Sequence, residues 1–150
     1  MDRAPPGAPP GAPPGAPPGA PPTDTMDAEE TFHNVFSQFI ATLRFLAMEP
    51  EAVCEAQGNN VAFELQQEAL SGRYLVDKGR LDRAEEIAVN AFGSSVSDLP
   101  KSALVFAEGH EPNVRNMRHV AWTPLRAQAA SLLVLLAPRI AENNAYFERP

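Results

Sequence analysis

The stretch that most constrains the fold of this chain is residues 123–147, TPLRAQAASLLVLLAPRIAENNAYF. Thr123 can cap a helix with its hydroxyl, and Pro124 fits the first helical position because its missing N–H is not needed there. The apolar residues that follow recur at spacings of three and four, which is the period of one helix face: Leu125, Ala129, Leu132, Leu136 and Ile140. The pattern therefore predicts one long helix over residues 123–147.

The middle of this predicted helix is apolar on nearly every side, because residues 133–135 widen the first face. We expect a helix of that kind to be surrounded by other helices. Arg126 and Arg139 leave far fewer than the ~20 apolar residues that a bilayer requires, so no membrane span is predicted. Pro138 removes a backbone hydrogen bond and is expected to kink or interrupt the helix without ending the domain.

Helical periodicity and helix-end signals recur through the rest of the chain. Asp27 and Glu30 have the spacing of a capping box, and Asp82 and Glu85 repeat it. No segment shows the alternation of apolar and polar residues that is typical of a β-strand. The sequence predicts an all-α fold, a single compact helical bundle over residues 26–150 with about four longer and three short helices. The longer helices are predicted at 28–48, 61–77, 83–92 and 123–147, and the short ones at 50–57, 101–108 and 113–122.

Gly72 lies inside the helix predicted over residues 61–77. Glycine in a helix interior costs ~1 kcal/mol relative to alanine, so the position requires a structural reason. A neighbouring helix that crosses closely would supply one, and a local break in the helix would supply another. The sequence leaves both interpretations open.

Residues 4–22 repeat the unit APPG and end in a partial copy. Proline removes backbone donors and glycine raises the entropic cost of order, and a four-residue period is not the three-residue period of collagen. We therefore predict that residues 1–25 form a disordered tail with polyproline II character. A spacer is the favoured interpretation. A ligand for a proline-recognition domain is the alternative, although only Arg3 supplies a flanking base.

The chain is acidic, with 12 basic residues, 19 acidic residues and a formal net charge of −7. This balance argues against nucleic-acid binding, which needs basic surface to displace counterions. The charge is also uneven, because residues 26–109 carry 14 acids and 6 bases whereas residues 110–150 carry 3 acids and 5 bases. Either the acidic helices pack around a mildly basic last segment, or the acidic surface receives a basic partner.

Cys54 is the single cysteine of the chain, so no disulfide can form within it. That usage is typical of a reducing compartment. No basic segment followed by an apolar run opens the sequence, as it would in a secretory signal. We therefore expect a cytoplasmic protein.

The most polar and aromatic cluster of the sequence is the run RNMRHVAW, which contains Arg115, Arg118, His119 and Trp122. The planar fork of arginine suits carboxylates and phosphates, so these residues are candidates for binding a ligand or a partner. The competing interpretation is that the bases pair with acids of earlier helices while Trp122 enters the core.

Glu64 and Glu68 form the second candidate group, because residues four apart on a helix are neighbours. One interpretation is a solvated acidic face. The other is a buried or cleft pair that is met by Arg115, Arg118 or His119. The solvated face is the favoured interpretation.

No catalytic, metal or cofactor site is predicted. The serines lack the strand–turn–helix context of a hydrolase nucleophile. Glu51 and Glu55 are expected to raise the pKa of the Cys54 thiol and so to reduce its reactivity. Glu30 and His33 have the E-x-x-H spacing of a helical metal site, but such a site needs a second pair, which the sequence lacks.

The favoured functional interpretation is a non-enzymatic acidic helical protein that binds a protein partner, as regulators, adaptors, immunity proteins and chaperones do. The first alternative is a small-molecule, anion or metal site in the bundle, with Glu64, Glu68, Arg118 and His119 as its candidates. The second alternative is a structural subunit that forms homo-oligomers through surplus apolar helix faces.

Deleting residues 1–25 is expected to leave folding intact, because the APPG repeats contain no charged or aromatic side chain to anchor them. The melting temperature should shift by at most about 2 °C, which corresponds to less than roughly 1 kcal/mol for a domain of this size. Thermal unfolding of the full and truncated chains, followed by circular dichroism, measures the shift. A large drop would show that the tail contributes to folding.

Overall fold

The structure is a computed structural model that describes residues 27–150, and all regular secondary structure in this range is helical. The predicted all-α fold class is therefore confirmed, whereas the tail predicted over residues 1–25 lies outside the described residues. Residues Thr31–Pro150 form one compact unit around a continuous hydrophobic core. The helices are α1 (Ala28–Leu46), α2 (Pro50–Gln57), α3 (Val61–Leu70), α4 (Arg83–Ser97), α5 (His110–Met117), α6 (Trp122–Leu135) and α7 (Ala137–Glu148), with 3₁₀ turns at Ser71–Leu75 and Lys101–Ala103.

Several helices begin and end at the signals that the sequence supplies. At α4, the Asp82 carboxylate accepts from the N–H of Glu85 and the Glu85 carboxylate accepts from the N–H of Asp82, both at 2.8 Å, so the predicted capping box is complete. The Asp27 carboxylate accepts from the N–H of Glu30 at 2.7 Å. Gly58 ends α2 with a φ of 95°, a conformation that favours glycine.

Phe39 of α1 lies at a close crossing in the core. A Cβ atom built on Gly72 would lie only 2.5 Å from the Phe39 ring, so the ring occupies the space that any side chain at position 72 would need. The same ring makes an edge-to-face contact with Phe92 of α4, with centroids 6.2 Å apart. Both interpretations of Gly72 therefore apply, because α1 crosses closely and α3 ends at Leu70 before a 3₁₀ turn.

The helix predicted over residues 101–108 is wrong. Only Lys101–Ala103 forms a helical turn, of the 3₁₀ type, and the chain then runs in irregular conformation to Gly109. The side-chain amide of Asn116, on α5, donates to the C=O of Val105 at 2.6 Å. The Gly109 N–H, which a helix would direct to that same carbonyl, donates instead to Asn59 Oδ1 at 3.2 Å, so tertiary contacts override the helical pattern.

The long helix predicted over residues 123–147 is interrupted. The first part, α6, ends at Leu135, and α7 begins at Ala137 with Pro138 in its first turn. The prediction that Pro138 interrupts the helix without ending the domain is therefore confirmed. None of the helices in residues 27–150 is long and apolar enough to cross a membrane.

Helix α6 is buried on one side only. Its inner face contains Leu125, Ala129 and Leu132, as the periodicity predicts. On the outer side Val134 is 77% exposed and Leu135 is 39% exposed. The expectation that other helices surround this segment is therefore wrong, because no described element covers the outer face.

Polar contacts hold α7 against α1. Asn143 is buried, and its side-chain oxygen accepts from His33 Nδ1 at 2.7 Å while its amide nitrogen donates to the Ser37 hydroxyl at 2.7 Å. The His33 ring also stacks on Tyr146, with centroids 3.9 Å apart. Because Asn143 is the buried residue of α7, these contacts fix the position of that helix.

Gly72→Ala should destabilise the domain by about 1–3 kcal/mol, because the new methyl group overlaps the Phe39 ring in a packed core. Gly93→Ala is the matched control. Its Cβ would lie 3.6 Å from the Arg73 side chain, an ordinary contact, so it should stabilise α4 by about 0.5–1 kcal/mol. Urea unfolding measures both variants, and equal effects would contradict the close crossing.

Candidate functional site

Trp122, the aromatic member of the predicted cluster, lies in the core. Its side chain is fully buried, and its indole N–H donates to the C=O of Ala103 at 3.3 Å. Helix α6 begins at Trp122, so the predicted cap at Thr123 is wrong, and the Thr123 hydroxyl instead lies 3.4 Å from the Arg126 guanidinium. Trp122 therefore packs as the core interpretation predicts and offers no surface to a ligand.

His119 lies in the turn between α5 and α6, with both ring nitrogens hydrogen-bonded. Nδ1 accepts from the N–H of Ala121 at 3.0 Å, and Nε2 lies 3.0 Å from the Ser102 hydroxyl oxygen. Because Nδ1 accepts, the neutral ring carries its proton on Nε2 and donates it to Ser102. A histidine that activates a serine must accept a proton at that nitrogen, so the pair is not arranged as a nucleophile and its base.

The two arginines of the cluster are exposed on α5 and at its C-terminal end. Arg118 forms a salt bridge with Glu51 of α2, and both side chains are more than half exposed. The structure thus pairs one base with an acid of an earlier helix. Arg115, Arg118 and His119 line one cavity of about 230 Å³, together with Glu111. The structure therefore brings these three predicted residues together at the surface.

Glu64 and Glu68 are exposed on α3, and neither lines the cavity that Arg115, Arg118 and His119 share. The Glu68 carboxylate accepts from the Thr42 hydroxyl of α1 at 3.4 Å, beside a cavity of about 370 Å³. Arg118 is paired with Glu51 instead of with either acid. The arrangement agrees with a solvated acidic face, and the interpretation of a buried pair met by the basic cluster is wrong.

The structure gives the lone thiol a different environment from the one that the sequence indicates. Cys54 is buried, and burial raises the pKa of its thiol because the thiolate is poorly solvated. The sequence attributes that rise to neighbouring acids, so the direction agrees and the cause differs. Among residues 27–150, no group of three or more histidine, cysteine, aspartate or glutamate side chains is placed to hold a metal ion.

A groove between α4 and α6 is the feature that the sequence patterns did not reveal. It encloses about 530 Å³, which is within the range of ligand and peptide pockets. No charged side chain lines it. The lining residues of this α4–α6 groove are Ala88, Ala91, Phe92, Pro124, Ala127, Gln128, Ser131, Leu132 and Leu135.

Apolar side chains are exposed on both helices that form the α4–α6 groove. Ile87 of α4 is 55% exposed, and Val134 of α6 is 77% exposed. Every exposed residue of α6 is uncharged, and the one charged residue of that helix, Arg126, donates to the C=O of Met117 at 3.0 Å. Interface centres are depleted in charge, so an uncharged exposed face in a chain with a net charge of −7 is typical of a protein-binding surface.

The sequence did contain a signal for this surface. Residues 133–135 make the segment apolar on more than one side, a pattern that predicts burial on all sides. Periodicity identifies a second apolar face but does not reveal whether the chain holds another element to cover it.

Comparison with known proteins gives no match to this chain. No family model matches the sequence. No curated protein matches it at a significant level, and no solved structure does.

The salt bridge between Arg118 and Glu51 is expected to contribute little to stability, because both side chains are largely in water. Arg118→Ala and Glu51→Ala should each lower the free energy of unfolding by at most about 1 kcal/mol. The double variant should lose no more free energy of unfolding than the two single variants lose together, because each of the three proteins lacks the same weak salt bridge. Chemical denaturation of the four proteins measures the coupling energy. A loss of several kcal/mol on either single change would identify Arg118 as a structural residue.

Proposed function

We propose that this chain is a non-enzymatic acidic helical protein that binds a protein partner, and that the α4–α6 groove receives an amphipathic helix of that partner. The uncharged and largely apolar lining of the groove is the observation that carries the proposal. The broader class is that of regulators, adaptors, immunity proteins and chaperones.

A helix suits this groove because two helices form its walls. Side-chain ridges of a third helix pack into the groove between two others, and the approach is closest where the wall residues are small. Ala88 and Ala91 supply small side chains from α4, and Ala127 and Ser131 supply them from α6. Amphipathic helices bind such grooves through apolar residues at spacings of three and four.

The negative net charge of the chain favours partner helices that carry basic residues. The net charge of −7 is carried mainly by residues 26–109, whereas the α4–α6 groove has no charged lining. A partner helix with an apolar face and flanking basic residues therefore gains both burial and electrostatic attraction. This combination defines the occupant that we propose.

The environments of Ser102 and Cys54, the two candidate nucleophiles, support a non-enzymatic protein. The Ser102 hydroxyl oxygen accepts a hydrogen bond from His119 instead of giving its proton to the ring. Cys54 is buried with a raised thiol pKa, which disfavours the reactive thiolate. The single cysteine also supports the expected reducing, cytoplasmic location.

Self-association is the second candidate, and one observation favours it. Helix α6 presents the exposed side chain of Val134 as a ridge beside the α4–α6 groove, which Ala127, Ser131 and Leu135 line. A surface with both a ridge and a groove is self-complementary, so two copies related by a two-fold axis can each insert the ridge into the groove of the other.

Ala127→Arg is expected to weaken partner binding by at least about tenfold, because it puts bulk and charge into the α4–α6 groove. Ala130→Arg is the matched control, since Ala130 is also exposed on α6 but does not line the groove. Neither change should affect folding, because arginine is a good helix former at exposed positions. A partner is first captured from native cell lysate and identified by mass spectrometry, and its affinity for the three proteins is then measured in purified form.

The expected result is a loss of affinity of at least about tenfold for Ala127→Arg and no change for Ala130→Arg. Equal affinity in the two variants would contradict the groove as the binding site. Sedimentation equilibrium of the same proteins without a partner tests the second candidate. A dimer that Ala127→Arg dissociates would assign the groove to a second copy of the chain.

A further inference from the structure

The segment Leu104–Gly109, here called the strap, has no regular secondary structure, yet hydrogen bonds to its backbone fix its course. The partners come from the loop before α3 and from α5. The bonds run from Asn116 Nδ2 to the C=O of Val105 at 2.6 Å, from the Asn60 N–H to the C=O of Ala107 at 3.0 Å, from the Gly109 N–H to Asn59 Oδ1 at 3.2 Å, and from Asn113 Nδ2 to the C=O of Gly109 at 2.7 Å.

Asn113 connects the strap to the buried core of the domain. Its side chain is fully buried, and its oxygen accepts from the N–H of Val61 at 2.7 Å. That N–H begins α3 and has no partner within the helix. The Asn113 side chain thus hydrogen-bonds both the first N–H of α3 and the last carbonyl of the strap. Movement of the strap would therefore leave a buried polar group unpaired.

Phe106 is 70% exposed and Val105 is 57% exposed, although the backbone that carries them is fixed. An exposed apolar side chain on a fixed backbone loses less conformational entropy on binding than one on a mobile loop, because only its own rotation has to be restricted. Aromatic side chains are also enriched among the residues that carry most of the binding energy at protein interfaces.

Beside the strap lies a cavity of about 310 Å³, the strap cavity. No carboxylate lines it, although the chain has 19 acidic residues. Its lining residues are Ser102, Val105, Phe106, Ala107, Pro112, Arg115, Asn116 and His119.

Two polar side chains that line the strap cavity, Arg115 and Ser102, can donate hydrogen bonds to a ligand. The exposed guanidinium of Arg115 carries a full positive charge. The Ser102 oxygen accepts from His119 Nε2, so the Ser102 hydroxyl hydrogen can donate to an incoming acceptor. Donors beside an exposed aromatic ring are complementary to a group that is both acidic and apolar.

From this arrangement we infer that the strap and its cavity form a second docking surface, which binds an acidic linear segment of a partner protein. A carboxylate of the segment pairs with Arg115, and an adjacent apolar side chain packs against Phe106. The inference does not depend on the α4–α6 groove, because the two surfaces share no lining residue.

The test selects peptides from a random linear peptide library on the immobilised full-length chain. Selected peptides should be enriched in an acidic residue next to an aliphatic or aromatic one. Their affinity, measured by fluorescence anisotropy, should fall at least about tenfold in Arg115→Ala and in Phe106→Ala. Arg83→Ala is the charge-matched control, since Arg83 is exposed and does not line the strap cavity, and it should leave the affinity unchanged.

Two further measurements distinguish the strap cavity from the α4–α6 groove and from a bare anion site. Ala127→Arg, which blocks the groove, should leave binding of the selected peptides unchanged, and a loss of binding would assign the peptides to the groove. Inorganic phosphate is the anion probe. Displacement by millimolar phosphate together with insensitivity to Phe106→Ala would reveal a bare anion site and overturn the inference. Absence of acidic enrichment in the selected peptides would overturn it as well.

Discussion

The contact between Phe39 and Gly72 sets the position of the elements around it. Because position 72 has no side chain, α1 approaches the 3₁₀ turn closely enough for the Phe39 ring to reach Phe92 of α4. Phe92 is fully buried, and it also contributes to the lining of the α4–α6 groove. The depth of the groove is therefore determined by core packing, and a change that moved α1 would also move the wall of the candidate site.

Buried polar side chains fix the positions of the elements that contribute few apolar residues to the core. The carboxylate of Glu85, which is almost fully buried, completes the α4 capping box and lies 3.3 Å from the Arg139 guanidinium of α7. Asn143 fixes the same helix to α1, and Asn113 joins the strap to α3. A buried polar group is costly unless it is hydrogen-bonded, so each of these contacts permits one arrangement of its neighbours and penalises others.

Local patterns predicted the parts of the fold that local physics controls. The inner face of α6, the α4 capping box and the interruption near Pro138 follow from residue spacing and backbone chemistry. The conformation of the strap depends instead on Asn116, which lies eleven residues beyond its Val105 partner, and no periodicity encodes that bond. The candidate site shows the same division. Sequence patterns identify clusters of polar residues, whereas the α4–α6 groove consists largely of small residues and of a helix face that no described element covers.

The acidity of the chain acts differently on the two possible occupants of the α4–α6 groove. A helix with basic flanks is attracted at long range, and that attraction weakens as salt screens it. Two copies of the chain, each with a net charge of −7, repel each other at long range. The exposed face of α6 carries no charge and adds no repulsion of its own where the copies would meet. Added salt should therefore weaken binding of a basic helix and strengthen self-association. The sign of the salt dependence, measured on the same groove, separates the two occupants without knowledge of the partner sequence.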